Sequence, residues 1–147
     1  MINVKIKKLR ENAQIPAYAT EGSAAVDLRY AGDETLKIVP GERKLVPTGI
    51  AIAPETTGVV ALLFARSGLA SKKGLTLSNC VGVIDSDYRG EISAAMINLG
   101  SEEVILEPGE RIAQLMFVPT LTANFIEAAE LGETQRGAGG FGSTGTK

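Results

Sequence analysis

Two neighbouring stretches decide the fold class of the chain: KLVPTGIAIA at residues 44–53 and GVVALLF at residues 58–64. Each is a short apolar run that proline or glycine residues interrupt or bound. Runs of this kind, separated by turn-forming residues, are typical of β-strands. Both stretches therefore predict strands.

Similar runs extend over most of the sequence. Residues 1–8 alternate the apolar side chains of Ile2, Val4 and Ile6 with polar ones, which is the period-two pattern of a half-buried strand. Many short strands at even spacing predict an antiparallel barrel or sandwich, and only SGLASKKG (67–74) offers a helical turn or two. The other strand-like runs are AAVDLRY (24–30), TLKIV (35–39), EISAAMINL (91–99), EEVILEP (102–108) and RIAQLMFV (111–118).

Two of the predicted strands, residues 59–64 and 112–118, are apolar on both faces apart from Gln114. A strand in a small single sheet has one wet face, so continuous apolar runs predict burial on both sides. Either another subunit or the second layer of a sandwich could cover these strands. The sequence leaves both possibilities open.

The length of 147 residues is typical of a single domain, which we expect to occupy residues 1–130. The stretch RGAGGFGSTG at residues 136–145 is half glycine, and glycine-rich chain is costly to order and has little to bury. We therefore expect residues 131–147 to form a mobile C-terminal arm.

The composition excludes several classes of function. With no histidine in the chain, Ser-His-Asp and Cys-His catalysis are excluded, and so are zinc sites that need imidazole. The net charge of −2 argues against a nucleic-acid partner. No apolar run is long enough to span a membrane. The single cysteine, Cys80, excludes an internal disulfide and fits the cytoplasm.

The stretch ARSGLASKKG at residues 65–74 is a candidate phosphate site. Arg66, Ser67 and Gly68 lie where an apolar strand gives way to the predicted helical turn. A helix start has free backbone N–H groups, and an arginine and a hydroxyl beside them suit a phosphate. The alternative is a serine that caps the helix and an arginine that is merely solvated.

The stretch NCVGVIDSDYRGEI at residues 79–92 is the most informative polar segment. Its DSD turn predicts a hairpin edge. Asp85 follows the apolar pair Val83 and Ile84, so we expect its carboxylate to be partly shielded and usable as a general base. Tyr88 could offer a flat face to a sugar or a base. The alternative is an ordinary acidic turn with a packed tyrosine.

Two isolated polar residues in apolar strands are further candidates. Gln114 is either a core amide that backbone groups satisfy or, if a polar site lies beside it, a ligand. Asp27, within the apolar AVDL, is either satisfied structurally or near a metal ion. Neither residue decides between its two interpretations on its own.

Five segments, taken together and in this order, resemble the motifs of the homotrimeric all-β dUTPase family, whose members hydrolyse dUTP to dUMP and pyrophosphate. One position departs from the family pattern, because Ala65 stands where the second motif usually opens with proline. This change should loosen the backbone before Arg66 but removes no chemical group. The five segments are AAVDL (24–28), ARSGLA (65–70), GVIDSDYRGE (82–91), GERIAQL (109–115) and RGAGGFGSTG (136–145).

The resemblance implies an all-β fold, a jelly-roll-like barrel of short antiparallel strands (the dUTPase β-clip) with one short helix and a flexible glycine-rich arm. It also implies a cytoplasmic, Mg²⁺-dependent dUTP diphosphatase. Its homotrimer would share active sites, with each arm closing over a neighbouring one. The alternatives are a dCTP deaminase-like enzyme, against which the intact IDSDY argues, and a non-catalytic β module, against which the complete set of polar motif residues argues.

The resemblance also implies roles for single residues. Asp85 would orient and deprotonate the water that attacks the α-phosphorus, and Asp27 would lie near Mg²⁺, acting through water. Tyr88 would pack on the deoxyribose and exclude a 2′-hydroxyl. The remaining positions would bind uracil at Asn79, Gly82, Val83 and Ile84, and the phosphates at Arg66, Ser67, Gly68, Gln114, Arg136, Ser143 and Thr144, with Phe141 covering the uracil and Gly142 beside the substrate.

Overall fold

A computed structural model of the chain describes residues 1–140. Within this range it contains eleven strands and one helix, so the predicted all-β fold with one short helix is confirmed. The elements are β1 (Val4–Lys8), β2 (Val26–Arg29), β3 (Leu36–Ile38), β4 (Arg43–Pro47), β5 (Ile50–Pro54), β6 (Val59–Ala65), α1 (Ser67–Lys73), β7 (Leu75–Leu77), β8 (Gly82–Ile84), β9 (Ser93–Asn98), β10 (Val104–Leu106) and β11 (Arg111–Pro119).

The strands form four small antiparallel sheets, whose orders are β1-β5, β3-β10, β4-β9-β7 and β2-β11-β6-β8. None of these sheets closes on itself, so in the described residues the predicted barrel is an assembly of open sheets. Sheets of two to four strands are too narrow to close, because even small barrels need more strands around their circumference.

One hydrophobic core holds the four sheets together. Ile38 of β3, Val46 of β4, Leu63 of β6 and Met96 of β9 are all buried within it, and Ile50 joins them from β5. Along β9 the pattern of buried and half-buried residues alternates strictly, as expected for a strand with one face on the core. The core therefore fixes the direction in which each strand presents its polar residues.

The two strands predicted to be apolar on both faces, β6 and β11, lie side by side. Their inner residues, such as Leu63 and Leu115, are buried, whereas the opposite face is only half-buried. Within residues 1–140 this second face keeps part of its apolar surface exposed, whereas the inner face is fully covered. We call this surface the outer face; it comprises Val60, Leu62, Phe64, Met116 and Val118.

Helix α1 begins after Arg66 and ends at Gly74, which adopts the left-handed conformation with φ 68°. A Cβ atom at this position would overlap the backbone of Gly100, so glycine satisfies both the conformation and the close packing. The backbone N–H of Gly74 donates to the carbonyl oxygen of Ala70 at 3.1 Å. This stop turns the chain directly into β7.

The last strand ends at Pro119, and residues 120–140 contain no helix or strand. The apolar side chains of Leu121, Phe125 and Leu131 are almost fully exposed there. The predicted site residues Phe141, Gly142, Ser143 and Thr144 lie outside the described residues. No helix within residues 1–140 is long and apolar enough to cross a membrane.

Candidate functional site

A cavity of about 280 Å³ lies between β8 and β9. Six residues singled out from the sequence line it together: Asn79, Gly82, Val83, Ile84, Asp85 and Tyr88. The remaining lining residues are Leu45, Leu63, Glu91, Ile92, Ser93 and Ala95. Within residues 1–140, the fold thus brings the uracil-binding candidates Asn79, Gly82, Val83 and Ile84 together with the predicted base and Tyr88.

The 79–92 segment builds this cavity from an edge strand and two turns. The first turn places Cys80 at φ 62°, with the N–H of Val81 donating to the carbonyl oxygen of Asn79 at 2.7 Å. In the part of the chain that the structure describes, strand β8 then pairs with β6 alone, at the edge of the four-stranded sheet. The predicted hairpin is therefore wrong, because the chain after β8 turns away and enters β9 of a different sheet.

Asp85 lies in the second turn, where the N–H of Tyr88 donates to its carbonyl oxygen at 3.1 Å. Its side chain is exposed in the single chain, so the expected shielding by Val83 and Ile84 is wrong. Val83 points outward and is itself 66% exposed. The carboxylate is accessible to water at the rim of the cavity.

Tyr88 is half-exposed, at 46%, and two contacts hold its ring. Its hydroxyl donates to the carbonyl oxygen of Glu91 at 3.2 Å. The ring also passes so close to Gly90 that a Cβ atom there would overlap the hydroxyl and the ring edge. The tyrosine is thus not packed into the core, as the alternative interpretation required, but lies at the surface of the cavity.

Glu91 is a cavity residue that sequence reasoning missed, although it ends the motif GVIDSDYRGE. Both of its carboxylate oxygens accept hydrogen bonds from Arg10, at 2.8 and 3.2 Å, and one also accepts the N–H of Gly49 at 2.8 Å. The hydrogen bond from Arg10 is the main cause that lowers the pKa of Glu91, while partial burial opposes it. We call these two residues the Arg10–Glu91 pair.

Because folding lowers the pKa of Glu91, the Arg10–Glu91 pair should stabilise the protein in a pH-dependent way. A carboxyl group whose pKa is depressed by folding stabilises the folded state above its unfolded pKa of about 4.3, and this contribution is lost as the pH falls through the folded value. The side chain of Glu91 is 24% exposed, and that of Arg10 is 39% exposed. We therefore expect Glu91→Gln to lower the free energy of unfolding at pH 7 by only about 1 kcal/mol.

Urea unfolding followed by circular dichroism, at one protein concentration, measures how far Glu91→Gln lowers the free energy of unfolding at pH 7 and at pH 3. The gap between the unmodified protein and Glu91→Gln should narrow in acid. Glu55→Gln is the matched control, because Glu55 pairs with Lys5 at the surface at 3.7 Å and should change stability little. A gap for Glu91→Gln that is the same at both pH values would contradict the assignment.

A second group of predicted residues centres on Asp27 of β2. One of its carboxylate oxygens accepts from Nε of Arg66 at 2.9 Å, and the other accepts from Arg111 at 3.1 Å. Each carboxylate oxygen of Asp27 therefore accepts a hydrogen bond from an arginine side chain. Arg66, not Ser67, occupies the N-cap position of α1, without a side-chain capping hydrogen bond, and its guanidinium is paired with Asp27, so the interpretation as a serine cap beside a solvated arginine is wrong.

Gln114 extends this second group along the sheet. It lies directly opposite Asp27 on one side and Phe64 on the other, and residues opposite each other in a ladder share a face. The half-buried amide therefore faces outward beside the outer face, and its interpretation as a core residue is wrong. Ser67 and Gly68 are exposed at the start of α1.

Two further arginines were missed by sequence reasoning. Arg29 and Arg111 join Arg66 around a shallow cavity of about 490 Å³, which Leu69 and residues 108–110 complete. Arg111 belongs to the quoted segment GERIAQL, so its place in a motif was the available signal. Three guanidinium groups around one cavity form a surface suited to anionic oxygens.

The two groups of predicted residues share no lining residue in the single chain. Arg136 joins neither group, and within residues 1–140 it forms a local turn in which its Nε donates to the carbonyl oxygen of Gly139 at 2.8 Å. Among these residues, no three histidine, cysteine, aspartate or glutamate side chains group closely enough to hold a metal ion. Ala65, which replaces the usual proline, pairs regularly with Ala113 of β11.

The family model described as dUTPase matches residues 11–145, a range that includes both groups of residues. The chain belongs to the dUTPase family. The deoxyuridine 5′-triphosphate nucleotidohydrolase of Desulfitobacterium hafniense is 54% identical over 146 residues, which cover 98% of this chain and 97% of that protein. The nucleotidohydrolase of the same description from Hydrogenobaculum sp. is 55% identical over 143 residues, with 97% of each chain covered.

A solved structure supports the same family membership. The dUTPase of Staphylococcus bacteriophage 80alpha, solved with dUPNHPP, superposes with a TM-score of 0.88 at 29% identity, over 98% of this chain and 99% of that one. The matched range of the dUTPase family includes both groups of site residues and Arg136. It ends at residue 145 and so also includes the predicted residues that lie beyond position 140.

Proposed function

We propose that this dUTPase-family protein hydrolyses dUTP to dUMP and pyrophosphate by attack of water on the α-phosphorus. The reaction would lower the concentration of dUTP and supply dUMP. The cavity that contains Asn79, Asp85 and Tyr88 together carries this proposal. It combines an edge strand suited to a base, an aromatic ring suited to a sugar, and an accessible carboxylate. The family membership supports the same substrate.

Asp85 would act as the general base. Its carboxylate would accept a proton from the attacking water while the water oxygen forms a bond to the α-phosphorus. The bond between this phosphorus and the oxygen that bridges to the β-phosphate would break, and the electron pair would leave with pyrophosphate. Positioning and charge stabilisation supply most of the catalysis in phosphoryl chemistry, so one base is sufficient and no histidine is needed.

The shallow cavity around Arg29, Arg66 and Arg111, which we call the arginine cavity, would receive the triphosphate. Arg66 is one of the predicted phosphate-binding residues, and Arg111 lies beside it, since both donate hydrogen bonds to the carboxylate of Asp27. Because Asp27 holds both guanidinium groups in place, their remaining N–H groups are oriented before the substrate arrives. Ser67, Gly68 and Gln114 lie next to this cluster and would add contacts to the phosphates.

Mg²⁺ fits this site only together with the substrate and water. Each oxygen of Asp27 already accepts one hydrogen bond from an arginine, so the remaining lone pairs suit a metal-bound water better than the ion itself. Mg²⁺ usually keeps several waters and binds substrate phosphates. When bound, the ion would neutralise part of the triphosphate charge and fix its conformation.

The active sites would be shared within a homotrimer. The outer face leaves Leu62, Phe64 and Met116 partly exposed, and copies of the chain that pack there would bury them. The cavity at the 79–92 segment and the arginine cavity share no residue, which suits a site completed by a neighbouring subunit. We further propose that residues 1–130 form the domain and residues 131–147 the arm that closes the site.

Pyrophosphate release from dUTP in the presence of Mg²⁺ tests the proposed function. A site that pairs with a base edge can reject a mismatched base by about 10⁴-fold, so dCTP should react far more slowly than dUTP. UTP and dTTP should also be poor substrates, because Tyr88 would leave no room for a ribose hydroxyl and the 79–92 segment would leave none for the thymine methyl. Tyr88→Ala should raise the turnover of UTP relative to dUTP.

The same assay separates the alternatives. Ammonia released from dCTP would indicate the deaminase, and the absence of pyrophosphate from any nucleotide would indicate a non-catalytic module. Comparable kcat/KM values for dUTP and UTP in the unmodified protein would remove Tyr88 from its assigned role. The cytoplasmic location stays a prediction.

A further inference from the structure

The ring of Tyr88 lies at the surface of the cavity, where few contacts fix its position. It is half-exposed, and its hydroxyl donates to one backbone carbonyl, that of Glu91, at 3.2 Å. A ring that discriminates by shape has to keep its position to within a fraction of an ångström. The position of the Glu91 carbonyl therefore determines where the ring lies.

The backbone at Glu91 is anchored from both sides. Its side chain accepts two hydrogen bonds from Arg10 and one from the N–H of Gly49. The next residue, Ile92, is fully buried, and its N–H donates to the carbonyl oxygen of Ile50 at 2.8 Å. An acceptor held in this way gives the tyrosine hydroxyl a fixed partner.

Arg10 is the distant member of this arrangement. It lies 81 positions before Glu91, does not line the cavity, and precedes the residues that the dUTPase family model matches. Bidentate pairing between a guanidinium and a carboxylate fixes both distance and orientation. Any effect of Arg10 on the substrate must therefore pass through Glu91.

We propose that the Arg10–Glu91 pair positions the ring of Tyr88 and thereby sharpens discrimination between deoxyribose and ribose. This inference rests on the proposed function. Arg10 is a positioning residue in this scheme, since it does not line the cavity and acts through Glu91, whose carbonyl oxygen accepts the hydrogen bond from the hydroxyl of Tyr88. The chain of contacts runs from the guanidinium of Arg10 through the backbone of Glu91 to the hydroxyl of Tyr88.

The test is a double-mutant cycle with Arg10→Gln and Tyr88→Phe, in which kcat/KM is measured for dUTP and UTP. Each single change should lower the dUTP-to-UTP ratio by about 3- to 10-fold, the range expected for one net hydrogen bond. The double variant should lower it no further, because both changes interrupt the same chain of contacts. Arg10→Lys should give an intermediate ratio, since lysine cannot form the bidentate pair.

Lys37→Gln is the matched control, because it breaks an exposed ion pair with Glu103 on the β3-β10 sheet and should leave the ratio unchanged. An unchanged ratio in folded Arg10→Gln and Arg10→Lys would overturn the inference, and so would effects of the two single changes that multiply in the double variant. Absence of dUTP hydrolysis in the unmodified protein would instead overturn the proposed function, and this inference with it.

Discussion

Replacing Asp85 by asparagine is expected to lower kcat for dUTP hydrolysis by about 10²-fold or more, the usual cost of losing a general base. The amide is close in shape to the carboxylate but cannot accept the proton of the attacking water. Because Asp85 lies exposed at the cavity rim, its replacement should not disturb the core. Binding of dUTP should therefore remain similar.

Single-turnover kinetics and calorimetric titration with dUTP separate the chemical step from binding. Asp87→Asn is the matched control, since Asp87 is an exposed acid in the same turn but does not line the cavity. It should retain turnover close to that of the unmodified protein. Near-normal turnover in Asp85→Asn would remove Asp85 from the role of base.

The second large effect concerns the arm. A chain that ends at Gln135 and a chain that carries Asp85→Asn should each be nearly inactive alone, yet partly active when they assemble together. Residues 136–140 contribute nothing to the core, so the truncated chain should fold. In mixed trimers, a site works when its 79–92 segment comes from the truncated chain and its arm from the Asp85→Asn chain.

With equal expression and independent choice of each subunit, about a quarter of all sites should be intact, and about a third once trimers made of a single variant have been removed. Different affinity tags on the two chains allow mixed trimers to be isolated before pyrophosphate release is measured. Each variant expressed alone serves as its own control. If every arm closes over its own subunit, each site carries one defect, and activity near zero in the mixed trimers would refute the exchange of arms.

The strands could be predicted from the sequence because their apolar runs are bounded by turn residues. The run at residues 44–53, for example, becomes β4 and β5, with the turn at Thr48 and Gly49 between them. Strand β7 was missed because its three residues follow the helix directly and lie between Gly74 and Ser78, so no longer apolar run marks them, unlike those around β3 and β10. The hairpin was predicted wrongly because the partner of β8 is β6, a choice set by long-range packing rather than by the local DSD turn.

The site could be predicted only where its residues lie close in sequence. The 79–92 segment forms one cavity because it is one continuous stretch. The pairing of Asp27 with Arg66 joins residues 39 positions apart, and that of Arg10 with Glu91 joins residues 81 apart. Local patterns carry no information about such contacts, so their geometry appears only when the sheets are assembled.

Among residues 1–140, no strand pairs with the outer side of β8, so one edge of the four-stranded sheet is open there, and such an edge usually invites another chain to pair with it. Here the edge is only three residues long, and turns close it at both ends. It is therefore too short to template aggregation, but its backbone groups could pair with the donors and acceptors of a nucleobase. On the proposed function, uracil takes the place of a fifth strand, and a common liability of β-proteins becomes the means of recognition.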